Sequence, residues 1–212
     1  LARDAVLLLS IARAPKYRAR GAWTYPEAHV PLLARHPQAL LWAVGPRHGP
    51  AWERAAGRTG GRIRAFGERE DTGLFYDAAD VYVDAFPLVS ITSMLEAGSR
   101  GLPLVSRCPY ASEPLNVLCA DTPALAKSAL YARTADEYEA LLSRLIRDPA
   151  LRREAGERAR QAVVSVHTGA SWRAALETVY ARALSLPPTG LDPGAGDRRA
   201  VEELDVWLVR AF

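Results

Sequence analysis

The sequence has 212 residues, 49% of them apolar and 24% charged, with a formal net charge of +3. The apolar fraction is sufficient for a packed core, whereas the small charge, carried almost entirely by arginine, makes no case for nucleic-acid binding. No run of about eighteen apolar residues predicts a membrane-spanning helix, and Cys108 and Cys119 lack metal-ligand spacing, so we expect reduced cytosolic thiols.

The first part of the sequence alternates apolar runs of strand length with segments that carry helix signals, which predicts an α/β fold with a parallel sheet. The predicted strands are 5–12, 38–45 and 61–68, and the predicted helices are 24–37, 50–58 and 70–80. The first strand leads directly into the turn RAPKYRARG, a cluster of cations where ligands of such sheets bind. Ordinary solvated charge also explains such a cluster.

The segment 81–107 predicts strand, turn, helix and strand. VYVDAF is a buried strand that Pro87 ends, because proline withholds a backbone donor. Ser90 is a suitable N-cap for the helix ITSMLEAGS, which Gly101 terminates before the apolar run LPLVS. The first turn of this helix should therefore direct its unpaired N–H groups toward the carboxyl edge of the sheet.

Three hydroxyls, those of Ser90, Thr92 and Ser93, lie at the predicted helix start, and Glu96 follows one turn later. Hydroxyls and free amides suit a diphosphate, and a carboxylate suits the two neighbouring hydroxyls of a sugar. The alternative is that the hydroxyls are plain caps and Glu96 is solvated.

The last third of the sequence is mainly helical. Strong periodicity is lost through 108–128, and a short strand is predicted within 128–132. The predicted elements that follow are helices at 134–149, 150–166 and 171–184, a Pro/Gly-rich linker at 185–197 and an amphipathic helix at 198–212.

The string D-A-F-P-x-x-x-I-T-S-M-L-E-A-x-x-x-G-L-P-L-V resembles the donor-binding segment of GT-B glycosyltransferases, nearest to the O-GlcNAc-transferase-like branch. The motifs E-Y-x-x-L, R-D-P-x-L-R and W-x-x-x-L-E-x-V-Y, in the last predicted helices, resemble the C-terminal helices of the same enzymes. The resemblance therefore covers about residues 5–184. Two departures stand out: Val89 and Ser90 replace glycines that usually precede the Thr pair, and Leu88 replaces a glutamate of the larger hexosyltransferase branch.

The resemblance implies one Rossmann-like half of a GT-B fold, comprising 1–184, and a nucleotide-sugar donor, with a UDP-sugar preferred. It implies that Lys16, with Arg13 as second choice, binds the donor diphosphate together with Ser90, Thr92 and Ser93. Glu96 would bind the ribose. The loop after the third strand, Phe66, Gly67 and Glu68, would lie near the nucleobase, although Phe66 could equally be a core residue.

The sequence contains no Asp-x-Asp motif or histidine spacing typical of a metal site, so no metal or other cofactor is expected. The leaving diphosphate would then be stabilised by the helix start and by Lys16 or Arg13. No catalytic residue is assigned.

The first hypothesis for function is therefore the donor-binding domain of a bacterial, cytoplasmic glycosyltransferase. The chain begins at Leu1 and has the length of one half of such an enzyme, so we expect an N-terminal half in the parent protein to hold the acceptor, and the isolated chain to catalyse little. Peripheral membrane association of the parent stays open. A non-catalytic docking or regulatory module is the alternative, favoured by Leu88 and the missing glycines, and a nucleotide-sugar epimerase is a third.

Overall fold

A computed structural model describes residues 4–19, 24–107 and 123–187. Six parallel strands form one sheet in the order β3-β2-β1-β4-β5-β6. They are β1 Val6–Ile11, β2 Ala39–Val44, β3 Ile63–Ala65, β4 Val81–Val83, β5 Leu104–Arg107 and β6 Leu130–Ala132. The predicted α/β fold with a parallel sheet is confirmed. The chain reverses direction across the sheet between β1 and β4, which opens a crevice at their carboxyl ends.

Helices cover both faces of the sheet. The helices of the described residues are α1 Tyr25–Ala28, α2 Val30–Arg35, α3 Pro50–Arg58, α4 Thr72–Ala78, α5 Ile91–Ser99, α6 Pro123–Ser128, α7 Ala135–Arg147, α8 Pro149–His167 and α9 Gly169–Ser185, with a 3-10 turn at Ala14–Tyr17. Residues of α1 to α8 form the two cores on the faces of the sheet. Alternate residues of β1 enter two separate cores, Leu8 with α1, α2, α3 and α7, and Leu9 with α4, α5 and α8. The result is a three-layer sandwich in which the sheet is buried on both faces.

The helix predicted over 24–37 is instead two helices, α1 and α2, that meet at His29. Pro31 has no N–H to donate to the carbonyl four residues earlier, so the helical ladder is interrupted there. His29 fills the break from inside: its Nδ1 lies 2.7 Å from the Tyr25 carbonyl oxygen and its Nε2 lies 2.9 Å from the Tyr138 hydroxyl. Since Nδ1 faces a carbonyl it carries the proton, and Nε2 accepts from Tyr138. Complete burial lowers the pKa of His29 to about 4, so the ring is neutral at physiological pH.

Two strands are shorter than the sequence predicts. The run 61–68 gives only Ile63–Ala65, because Gly67 has a φ of 68° and turns the chain after the edge strand. The run 81–86 gives only Val81–Val83, although the Asp84 N–H still donates to the Val105 carbonyl at 2.8 Å. Of the residues beyond these two strands, Glu68 lines the crevice, whereas Ala85 and Phe86 are buried in the core.

Helix α8 packs closely against α5 and against the glycine that follows it. A Cβ atom added to Gly156 of α8 would lie 1.9 Å from the carbonyl oxygen of Gly101, which follows α5, and one added to Gly98 of α5 would lie 2.9 Å from Val163. No side chain fits in this contact, so glycine is required at Gly156 for reasons of space. The contact fixes α5, whose first turn borders the crevice.

The chain divides into two compact units, Leu1–Arg173 and Ala174–Phe212. Of the second unit the structure describes 174–187, in which every side chain except that of Leu176 is exposed. The domain 1–184 stays a prediction, and the linker 185–197 and the helix 198–212 lie almost wholly outside the described residues.

We predict that Gly156→Ala destabilises the protein by about 1–3 kcal/mol, because the added methyl group meets the backbone of Gly101 and not a movable side chain. Gly57→Ala is the matched control: this glycine also lies in a helix, α3, but has no heavy atom within 4 Å of its added Cβ, so alanine should stabilise by up to about 1 kcal/mol. Urea unfolding measures both, and equal effects at the two positions would contradict the packing argument.

Candidate functional site

A cleft of about 890 Å³ opens at the carboxyl edge of the sheet, in the crevice between β1 and β4. Its walls are contributed by the turns after β1, β2 and β3 and by the start of α5. The lining residues are Ile11, Ala12, Arg13, Ala14, Pro15, Lys16, Val44, Gly45, Glu68, Arg69, Thr72, Ser90, Thr92 and Ser93. The structure therefore brings together Arg13, Lys16, Glu68 and the three hydroxyls that the sequence analysis singled out.

Three turns touch at the bottom of the cleft. Gly45 has a φ of 111°, and a Cβ atom there would lie 1.9 Å from the Ala12 carbonyl oxygen. Its N–H donates to the Gly67 carbonyl at 2.6 Å, and the Gly67 N–H donates to the Pro46 carbonyl at 2.9 Å. The turns after β1, β2 and β3 are thus held together by backbone contacts.

The cations of the turn after β1 occupy two positions. Arg13 lies exposed at the cleft wall, and its carbonyl accepts the Lys16 N–H at 2.9 Å to close the 3-10 turn. The Lys16 side chain extends inward, and its Nζ donates to the Val89 carbonyl at 2.5 Å. Lys16 therefore connects this turn directly to the segment that precedes α5.

Asp84, at the end of β4, lies beneath this segment and is 2% exposed. Its Oδ1 accepts the Ser90 N–H at 3.0 Å, and its Oδ2 accepts the Ser106 hydroxyl at 3.5 Å. Burial raises the pKa of the Asp84 carboxyl to about 7, although the amides of Ser90 and Ala85 and the charge of Lys16 act in the opposite direction. In the sequence, Asp84 is distinguished only as the first residue of the motif D-A-F-P.

The start of α5 supplies unpaired amides. Ser90 occupies the N-cap position, as predicted, but its hydroxyl makes no capping hydrogen bond and lies 3.2 Å from the Ser93 hydroxyl. Because the first N–H groups of a helix have no partner inside it, those of the first turn of α5 are available to a ligand. Thr92 is exposed at the same turn.

The opposite wall contains residues that the sequence analysis missed, Arg69 and Thr72. Both ends of the Arg69 guanidinium are held by Asp71, with Nε–Oδ1 and Nη2–Oδ2 distances of 2.9 and 2.7 Å. The guanidinium also lies 6.0 Å from the centre of the Phe75 ring. The sequence feature that could have indicated them is the run of charged residues directly after a predicted strand.

Three of the predicted site residues are not among those that line the cleft. The Phe66 ring packs against Trp42 and Phe75, with centroids 5.1 Å from each, and Gly67 forms the backbone contact described above. The Glu96 side chain is exposed, and its Oε1 lies 3.6 Å from Nη2 of Arg100, one turn further along α5. Glu96 is nevertheless one helical turn from Thr92, so the two share a face of the helix.

Among the described residues, no group of three His, Cys, Asp or Glu side chains could hold a metal ion. In the same part of the chain, no helix combines the length and the apolar character that crossing a bilayer requires.

No protein-family model and no curated protein matches the sequence. Solved structures do match the fold. A variant of an O-GlcNAc transferase from Thermobaculum terrenum superposes with a TM-score of 0.63 and 23% identity, over 85% of this chain and 36% of the transferase. TarM from S. aureus, in a complex that contains UDP, gives a TM-score of 0.61 and 14% identity over 84% of this chain and 35% of TarM.

The C-terminal domain of a group 1 glycosyltransferase, LpcC from Francisella tularensis, matches with a TM-score of 0.53 and 12% identity, over 77% of this chain and 86% of that domain. The fold is therefore that of one half of a GT-B glycosyltransferase, as the sequence motif predicted. The chain spans about a third of the length of the O-GlcNAc transferase and of TarM.

We predict that Ser90→Ala costs little stability, because its hydroxyl does not cap α5. Thr134→Ala is the matched comparison: Thr134 caps α7 in a complete capping box with Glu137, and its loss should cost about 1 kcal/mol. Urea unfolding of both variants measures the contrast. A loss at Ser90 equal to that at Thr134 would mean that the hydroxyl caps the helix in solution.

Proposed function

We propose that this chain is the donor-binding domain of a glycosyltransferase and that its cleft binds the diphosphate of a nucleotide sugar, with a UDP-sugar preferred. The observation that carries the proposal is convergence: the cation turn after β1 and the unpaired amides and hydroxyls at the start of α5 face one cleft. Oriented amides, hydroxyls and two cations are the donors that a diphosphate accepts best.

The same groups suit the chemistry of glycosyl transfer. Negative charge accumulates on the diphosphate as its bond to the sugar breaks, and fixed donors around it lower the barrier without having to reorganise. Arg13, Lys16 and the first amides of α5 would supply that stabilisation from this chain. The acceptor would be held by another domain of the parent protein, since this chain matches only 36% of the O-GlcNAc transferase and 35% of TarM.

The wall formed by Glu68, Arg69 and Thr72 comes from the turn after β3 and the start of α4, and it would face the nucleoside. The proposed ribose contact of Glu96 requires its carboxylate to exchange Arg100 for two sugar hydroxyls, which is feasible for an exposed ion pair because such pairs contribute little free energy. UDP in the TarM complex supports the choice of a uridine nucleotide as first probe.

Calorimetric titration and thermal unfolding with UDP, ADP, GDP and dTDP test the proposal. A nucleotide that binds the cleft should raise the melting temperature at millimolar concentration through its binding free energy. If none of the four nucleotides binds or shifts the melting temperature, the non-catalytic docking module becomes the better account.

Replacing the two cleft cations should weaken diphosphate binding unequally. Lys16→Ala removes a charge-assisted contact and the tie to Val89, so we expect a loss of about 1.5–3 kcal/mol, larger than that of Arg13→Ala. Arg18→Ala is the control, since Arg18 is an exposed cation close by that does not line the cleft. Calorimetry compares the three variants, and equal affinities in all of them would exclude this turn as the phosphate site.

Glu96→Gln should weaken ribonucleotides more than the matching 2′-deoxynucleotides, because only the former offer both hydroxyls to the carboxylate. Glu154→Gln is the control: Glu154 forms the same type of exposed pair, with Arg158 four residues later at 3.0 Å, on α8. Dissociation constants for both nucleotide types give the answer. Equal weakening of the two by Glu96→Gln would assign this residue to helix stability alone.

A further inference from the structure

The peptide group that joins Val89 to Ser90 is held from both sides. Its carbonyl oxygen accepts Lys16 Nζ at 2.5 Å, and its N–H donates to Asp84 Oδ1 at 3.0 Å. Lys16 and Asp84 come from the carboxyl ends of β1 and β4, so this single peptide spans the crevice between the two strands. It also immediately precedes α5, and its orientation therefore sets the direction in which the first amides of the helix point.

Tyrosines and a cation from several elements surround the Asp84 carboxylate. From β1 and the turn after it, Lys16 and Tyr17 face it; from α1, Tyr25; from β4, Tyr82; and from α7, Tyr138. Burial raises the pKa of all four tyrosines, so their hydroxyls stay neutral across the neutral pH range. Lys16 is a cation that acts on Asp84, and the same ammonium lines the cleft. Arg107, on β5 beside β4, acts on Tyr138 and His29 of the same core and does not line the cleft.

This arrangement makes the charge of Asp84 depend on what occupies the cleft. While the cleft holds solvent, the Lys16 ammonium partly stabilises the Asp84 carboxylate. A diphosphate beside Lys16 would add negative charge above a carboxylate that is almost fully buried, where the repulsion is weakly screened. The carboxylate would then be disfavoured and the protonated acid favoured.

We propose that Asp84 is a positioning residue of the donor site, which orients the Val89–Ser90 peptide and binds a proton when an anionic diphosphate enters the cleft. The inference rests on the proposed function, since it requires that the cleft binds a diphosphate. The protonated acid still presents a carbonyl oxygen to the Ser90 N–H and can donate its own proton to Ser106, so the peptide keeps its orientation while the cleft loses one negative charge.

The coupling between ligand binding and protonation of Asp84 predicts the direction in which affinity changes with pH. A ligand that favours the protonated form binds best at low pH, where Asp84 is already protonated, and loses affinity as pH rises through the pKa of the free protein, which is about 7. A shift of one pKa unit on binding corresponds to about a tenfold change in affinity. This dependence belongs to Asp84 alone and disappears if its carboxyl group is replaced by an amide.

The test uses UDP-glucose as probe, with ADP-glucose, GDP-mannose and dTDP-glucose in its place if UDP is not the preferred nucleotide. Each phosphate of a nucleotide sugar carries one ester and one anhydride bond and has no second ionisation, so the probe does not titrate near neutral pH. Titration calorimetry in two buffers of different ionisation enthalpy counts the protons that the unsubstituted chain takes up on binding near pH 7. We expect proton uptake and a threefold to tenfold loss of affinity (about 0.7–1.4 kcal/mol) between about pH 6 and about pH 8.5.

Asp84→Asn should abolish both the uptake and the pH dependence, whereas the control Asp136→Asn, an exposed aspartate in the first turn of α7, should retain both. If Asp84→Asn does not fold, the pH dependence of binding in Ser106→Ala tests the role of Asp84 instead. Loss of the Ser106 hydroxyl removes a donor that lowers the pKa of Asp84, so the fall in affinity should move to higher pH.

The outcomes separate this inference from the proposed function. If none of the four probes binds the unsubstituted chain, both the proposed function and this inference are overturned. Binding without proton uptake, uptake that persists in Asp84→Asn, or an unchanged pH profile in Ser106→Ala would each overturn the role of Asp84 while the donor site stands.

Discussion

The geometry of the cleft depends on one peptide group, that between Val89 and Ser90. Lys16 and Asp84 hold its two polar ends, and neither contact is easily replaced, because a buried carboxylate or amide without a partner costs about 1–3 kcal/mol or more. Three parts of the fold meet in this contact: the turn after β1, the end of β4 and the start of α5. A ligand in the cleft therefore meets a surface that the interior of the protein has already arranged.

The strand order explains why the contact lies where it does. The chain leaves β1 toward β2 and returns to β4 on the other side, so the turns after β1 and β4 diverge and leave a crevice that side chains must bridge. Beneath the crevice the sheet is covered by helices on both faces, and water does not reach Asp84 from below. The buried carboxylate is tolerated because backbone and hydroxyl donors surround it. Its pKa is still raised, because these donors do not fully compensate the free energy lost when the carboxylate leaves water.

The sequence predicted the sheet, α3 and α5 well, because apolar runs, caps and glycine stops are local signals. It also placed Arg13, Lys16 and the hydroxyls of α5 in one cleft, since the carboxyl ends of parallel strands share an edge. It missed the break at His29, where Pro31 competes with a good amphipathic pattern. It also missed the positions of Arg69 and Thr72 on the cleft wall and the contacts of Asp84. Those depend on side-chain direction and on partners far away in the chain, which periodicity does not encode.

The glycine contact between α5 and α8 has a consequence for the entropy of binding. Side-chain contacts allow a helix to shift by small rotamer changes, but Gly156 meets the Gly101 carbonyl with no side chain between them, so α5 has little freedom to slide or rotate. A helix that is immobile before a ligand arrives loses little motion when the ligand binds. The packing on the far side of α5 from the cleft thus favours tight binding without touching the ligand.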